Sequence, residues 1–182
     1  GGTFKSMPLC ASATQIGCII AYSSFRSDVP PPAQGMFGRG RGDTVSACTN
    51  PAALGGGKAD PKSYFINRPG FTPAPGLTLQ QPWVSPTRKP ILTPFVRAPG
   101  LVSLECVDKN GANYLEVTVN ANPNDPRADN IGGDVMRAGK PDPGWGLHNI
   151  DVNLAMGDLV AIVASQAKAY QKAAAAHAGP AR

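Results

Sequence analysis

Between Pro51 and Pro99 the chain carries ten prolines, at positions 51, 61, 69, 73, 75, 82, 86, 90, 94 and 99. Each fixes φ and removes a backbone donor, so neither a long helix nor a central strand can run through this stretch. Glycine (21) and proline (19) together supply 40 of 182 residues, without a repeat, so the expectation is long ordered loops. A chain of 182 residues is long enough for one domain with a real core and short for two. The reading is a single domain over residues 1–182 in which residues 26–100 form a loop-rich, lid- or cap-like region.

Regular elements flank this excursion. "QIGCIIAYSSF", residues 15–25, reads as a buried strand, and "YFIN" and "ILTPFV" as short extended pieces. "LVSLECV" and "NYLEVTVN" flank "DKNG", and Leu115, Val117 and Val119 alternate with Glu116 and Thr118. This is a β-hairpin with one half-buried face, and Asn110-Gly111 supplies the positive φ of its turn. From Asp151 to about Ala176, apolar Val152, Met156, Leu159, Val160, Val163, Ala167 and Tyr170 recur at three- and four-residue steps. That spacing predicts an amphipathic helix with Asp151 as N-cap, and Gly157 inside it calls for a close-packing neighbour. The tail "KAAAAHAGPAR" is expected to fray, which leaves His177 no chemical task. A strand, a long excursion, a hairpin and a final helix belong to the α/β class, without amounting to a complete α/β sheet.

The net charge of +5 comes from basic residues such as Arg26, Arg39, Arg41, Arg68, Arg88, Lys89, Arg97, Arg127, Arg137 and Lys168. They are scattered, and no aromatic-rich RNA-binding strand accompanies them, so no nucleic-acid partner is expected. No run approaches the roughly 18 apolar residues of a transmembrane segment. Lys5 is followed by no apolar signal-peptide stretch, and the missing initiator Met implies processing or a piece of something longer.

Cys10, Cys18, Cys48 and Cys106 allow three pairings; the spacing of Cys10 and Cys18 suits a small closed loop, and Cys48 with Cys106 would staple two loop-rich segments. Without C-x-x-C and with only two histidines, neither a metal nor another cofactor is expected. Disulfides imply a periplasmic or secreted protein, with buried thiols as the alternative. "ALGGGK" lacks the Walker A glycine at Ala52 and the Ser or Thr at Ala59, and Arg41-Gly42-Asp43 is a tripeptide that Gly-rich turns host by chance. No G-x-S-x-G occurs.

His148, in "PDPGWGLHNID", stands between a loop and the final helix, where the triad histidine of an α/β-hydrolase follows serine and acid in chain order. The structural alternative is a helix-mouth histidine bonded to first-turn backbone or to a carboxylate such as Asp151.

"PLCASATQIGCIIAYSSF", "ACTNPAALGGG", "PGLVSLECVDKNGANYLEVTV" and "WGLHNIDVN" resemble consecutive signatures of an uncharacterised, lipase-like family of bacterial α/β-hydrolases. The resemblance covers nearly the whole chain. Family members carry a G-H-S-Q-G serine elbow and most of the parallel sheet upstream of the cysteine-rich segment. The resemblance therefore implies a partial α/β-hydrolase fold, the C-terminal part of an esterase- or lipase-like serine hydrolase acting on a small-molecule ester or acyl substrate. It matches His148 and Asp151 to the family's H-x-x-D, and it supports the pairs Cys10 with Cys18 and Cys48 with Cys106. As triad acid, Asp28 in the loop after the first strand comes first, with Asp151 and Asp108 as alternatives. Met36, Phe37, Tyr64, Phe65, Phe71, Trp83 and Phe95 offer apolar surface for an acyl or aromatic group, or anchor the loops to the core. Without serine and oxyanion donors the chain alone is expected to be inactive. The competing class is a non-catalytic, disulfide-stapled extracellular binding module.

Overall fold

The computed structural model describes residues 7–67, 83–84, 89 and 91–178. In chain order the elements are β1 (Ser24–Arg26), β2 (Phe65–Ile66), β3 (Phe95–Val96), β4 (Val102–Lys109), β5 (Ala112–Val119), β6 (Met136–Arg137) and β7 (Lys140–Pro141). A 3₁₀ turn at His148–Ile150 then leads into α1 (Asp151–Leu154) and α2 (Met156–Ala178). The strands form one mixed sheet in the order β1-β5-β4 and two antiparallel pairs, β2-β3 and β6-β7. The chain is thus of mixed α/β type, with a C-terminal helix.

The hairpin forms as its alternation dictates. β4 and β5 pair in full register from Val102 opposite Val119 to Lys109 opposite Ala112, and the turn residues Asn110 and Gly111 have φ of 52° and 70°. β1 adds parallel to β5, with Ser24 opposite Leu115 and Arg26 opposite Val117. The two-residue period then sorts the faces. Val102, Leu104, Leu115 and Val117 join the main core with Leu147, Ile150 and Leu154, whereas Phe25, Ala112 and Tyr114 make a smaller cluster against which Phe37 packs. Both faces of the sheet are therefore apolar and covered.

The strand expected over residues 15–25 is regular only at its end. Upstream, Ile19 makes an isolated parallel bridge to Leu9, because Gly17 at φ 69° and the Cys10–Cys18 disulfide fold the chain back on itself there. Of the loop-rich region, "YFIN" and "ILTPFV" contribute β2 and β3, which pair with each other; Phe71 lies outside the described residues. The guanidinium of Arg26, at the end of β1, makes a buried ion pair with Asp134 at 2.6 Å. It also donates to Asn130 Oδ1 and the Ile131 carbonyl, which ties the 130–134 loop to the sheet.

The single helix expected from Asp151 is two, bent by 62°. The physical cause is a neighbouring segment that takes the carbonyls of α1: the Ser63 hydroxyl donates to Leu154 O at 2.6 Å and the Tyr64 N–H to Asn153 O at 2.9 Å. Gly157 has the close neighbour its position called for. Its N–H donates to Lys62 O at 3.0 Å, and a Cβ there would stand 2.7 Å from Lys62 Cβ. Two further expectations are corrected. Ile150, not Asp151, occupies the N-cap position, because the Asp151 carboxylate is engaged elsewhere. Val160, Val163 and Tyr170, assigned to the buried face, are each 65% exposed, and Val152 is exposed too, while Leu154, Ala155 and Ile162 are buried. α2 carries apolar residues on two stripes, so periodicity alone does not say which one packs. No single helix among the described residues is long and apolar enough to cross a membrane.

Both disulfides are formed, Cys10–Cys18 across 8 residues and Cys48–Cys106 across 58; the second fixes the loop after residue 45 to β4. Chain entropy gives the long loop ~4 kcal/mol and the short one ~2.5 kcal/mol. Urea titration of the Cys48→Ser/Cys106→Ser pair is expected to show the larger loss of stability, and an equal or smaller loss than in Cys10→Ser/Cys18→Ser would contradict this.

Candidate active site around His148

The site is built on the free edge of β1. On one side, the Leu115 N–H donates to Ser23 O and the Ser27 N–H to Val117 O, at 3.0 and 2.9 Å. The backbone groups of Ser24 point the other way, where no strand among the described residues pairs with them. The Leu147 N–H donates to Ser24 O at 2.8 Å, and the Ser24 N–H donates to Asp151 Oδ1 at 3.0 Å. The segment from Gly146 to Asp151 thus takes the place of a neighbouring strand.

Two glycines allow this approach. Gly146 has φ 54°, and a Cβ on it would lie 2.5 Å from Phe25 Cδ1 and 2.6 Å from Ser24 O. Gly133, at φ 107°, leaves the space in which Ile150 seats, since a Cβ there would meet Ile150 Cγ2 at 2.6 Å. Ile150 and Leu147 are buried, so the 3₁₀ turn between them presents His148 on its outer side.

The turn brings His148 and Asp151, three residues apart, onto one side. His148 Nδ1 lies 2.5 Å from Asp151 Oδ2. The other carboxylate oxygen accepts both the Ser24 hydroxyl and the Ser24 N–H, and the Tyr22 hydroxyl donates to the Asp151 carbonyl at 3.0 Å. The Asp151 side chain is 12% exposed and that of His148 39%. Nε2 has no hydrogen-bonding partner among the described residues. One face of the imidazole is covered by Phe37, stacked at 4.3 Å between centroids and 30° between planes.

Burial pushes the Asp151 carboxyl above the ordinary aspartate value of 3.8; the Ser24 hydroxyl, the His148 charge and the Ser24 N–H pull it the other way. Burial, and then the Asp151 carboxylate, also push the Tyr22 phenol upward. An ionised Asp151 can only accept, so it holds a proton on Nδ1 and leaves Nε2 with its lone pair. This is the arrangement of a general base whose conjugate acid is stabilised by a carboxylate.

The carboxylate on His148 is therefore Asp151. Asp28, placed first among the acids on the sequence, stands exposed in the turn after β1, and Asp108 is exposed near the hairpin end of β4. Asp151 reaches His148 because the 3₁₀ turn and the bend at Ala155 hold both side chains at the β1 edge. Ser24 and Tyr22 carried no sequence signal of a site, and Phe37, named on the sequence only as apolar surface or a loop anchor, proves to stack on the imidazole. Ser24 is itself fully buried, and its hydroxyl is engaged by Asp151. His177 bonds the Ala173 carbonyl within α2.

Comparison with known protein families, with curated proteins and with solved structures finds no match to this chain.

Two outcomes follow from this geometry. Gly146→Ala is expected to cost at least about 2 kcal/mol in urea unfolding, since a positive φ and a backbone clash coincide; a neutral effect would contradict the close approach. Asp151, with its folded pKa raised, contributes stability that is whole below 3.8 and lost as pH rises through the folded value. Thermal melts of wild type and Asp151→Asn from about pH 3 to about pH 7 should therefore show the wild type losing ground to the variant as pH rises. A gain with rising pH would reverse the sign.

Proposed function

We propose that the chain is the C-terminal part of an exported α/β-hydrolase of esterase or lipase type. His148 and Asp151 supply two members of a serine-hydrolase triad, and the nucleophilic serine lies in a segment outside these residues. The observation that carries this reading is the 2.5 Å contact of His148 Nδ1 with a buried carboxylate that Ser24 holds from its other side, together with an Nε2 that has no partner among the described residues.

In the reaction, Nε2 takes the serine proton as the oxygen attacks the ester carbonyl. Asp151 stabilises the imidazolium, which then returns the proton to the leaving alkoxide. Water repeats the cycle on the acyl-enzyme. The oxyanion donors belong with the serine, outside this chain. Phe37, stacked on the imidazole, and the half-exposed Trp145 against it make an apolar wall beside the ring, which favours an acyl or aryl portion over a charged one. The exposed stripe of α2, with Met7, Leu9 and Ile16 also exposed, supports a surface covered by further parts of a larger domain. The two disulfides support an oxidising compartment.

Nitrogen-resolved NMR of the neutral imidazole tests the assignment. The wild type should carry its proton on Nδ1, and Asp151→Asn, whose amide can donate to Nδ1, should move it to Nε2. A serine-directed fluorophosphonate should label nothing in the isolated chain. A wild-type proton on Nε2, or an inhibitor-sensitive serine within the chain, would overturn the reading; the first outcome would favour the disulfide-stapled binding module.

A further inference from the structure

His148 is held by one side-chain hydrogen bond, on Nδ1. Together with the Cβ–Cγ attachment this bond limits the ring plane only to within the angular tolerance of a hydrogen bond, and a packing contact on the ring face narrows it and aims Nε2. The ring of Phe37 is that contact, stacked at 4.3 Å. Trp145, three residues before His148, meets Phe37 at 5.6 Å and a 51° tilt, so the ring is bracketed from two sides.

Phe37 belongs to the loop after β1, which joins no sheet there. Its anchorage comes from the next two residues. Gly38 O accepts the Asn113 N–H at 2.8 Å. Gly38 has φ 69°, and a Cβ on it would stand 3.2 Å from Phe25 Cε2 and from Tyr114 Cβ. Arg39 spreads its planar fork over three carbonyls: Nε donates to Pro32 O at 2.6 Å, Nη1 to Asn110 O at 2.8 Å and Nη2 to Pro31 O at 3.1 Å. Among the described residues it pairs with no carboxylate. Arginine is the side chain whose rigid geometry can satisfy carbonyls on two segments at once. Here the segments are the Phe37 loop and the turn of the β4–β5 hairpin.

We propose that Phe37 is a positioning residue for His148, and that Arg39 is the latch that holds Phe37 on the imidazole. The proposal rests on the His148–Asp151 reading given above and adds to it the element that sets the plane of the ring. The hairpin turn, the Arg39 fork, the Phe37 ring and the imidazole then form one continuous support. Phe37 acts through His148 and has no part in the chemistry itself.

The test uses the His177→Ala chain, in which His148 is the one remaining histidine of two. Two quantities are read: the NMR shifts of the imidazole ring protons, and the rate of His148 carbethoxylation by diethyl pyrocarbonate. The ring protons should be displaced upfield by the Phe37 ring current. Phe37→Leu should abolish that displacement and raise the modification rate about five-fold, the factor that an aromatic pair of ordinary strength corresponds to. Phe37→Tyr should restore both. Arg39→Lys keeps the charge and loses the fork, and should move both quantities in the direction of Phe37→Leu; it decides the matter if Phe37→Leu fails to fold. Shifts and rate unchanged in Phe37→Leu, or in Arg39→Lys where that variant decides, overturn the proposal. If Asp151→Asn still moves the imidazole proton, the dyad stands and only the positioning role of Phe37 falls. If Asp151→Asn leaves the tautomer unchanged, the dyad reading fails and the positioning role with it.

Discussion

One residue of β1 organises this molecule. Ser24 has a backbone N–H and C=O directed away from β5, buried, with no strand among the described residues to receive them. Leaving both unpaired would cost on the order of 1–3 kcal/mol for each group. The chain meets this by laying Leu147 and Asp151 along the edge, one giving an N–H and the other a carboxylate oxygen. Backbone satisfaction at a sheet edge thus becomes the placement of a buried carboxylate, and the 3₁₀ turn between the two anchors puts an imidazole on that carboxylate.

This origin accounts for the electrostatic character of the site. A carboxylate recruited to a backbone edge is necessarily desolvated, and its pKa rises for that reason. Two donors from Ser24 and the imidazole keep the charged form within reach. The outer part of the dyad is left to the surface, where a loop residue rather than the core holds the ring. The carboxylate is thus held by a rigid sheet edge and the imidazole is covered by a loop residue, the arrangement in which loops over a rigid scaffold commonly carry function.

The helix shows the opposite balance between local pattern and packing. Its apolar residues suit burial, yet Val160, Val163 and Tyr170 face outward while Ile162 packs. The segment at residues 62–64 decides this by taking the last carbonyls of α1 and forcing the bend. A helix with two apolar stripes can satisfy its own domain with one and offer the other to further structure.

Several features were legible in the residues alone. The alternation of Leu115, Val117 and Val119 and the Asn110-Gly111 step determine the hairpin, because pleat period and turn handedness are local properties. The prolines exclude a long helix from the middle of the chain, where the described residues form only the short strands β2 and β3. His148 at the helix mouth was legible as a candidate, and the family resemblance supported the cysteine pairs that form. What only the tertiary structure decided is which carboxylate meets His148, where the helix breaks, and that Phe37 covers the imidazole. Each depends on contacts between segments far apart in sequence: Ser24 with Asp151, Ser63 with Leu154, Arg39 with Asn110. Periodicity and spacing report on neighbours along the chain, whereas an unpaired edge and the segment that comes to fill it exist only once the sheet has formed.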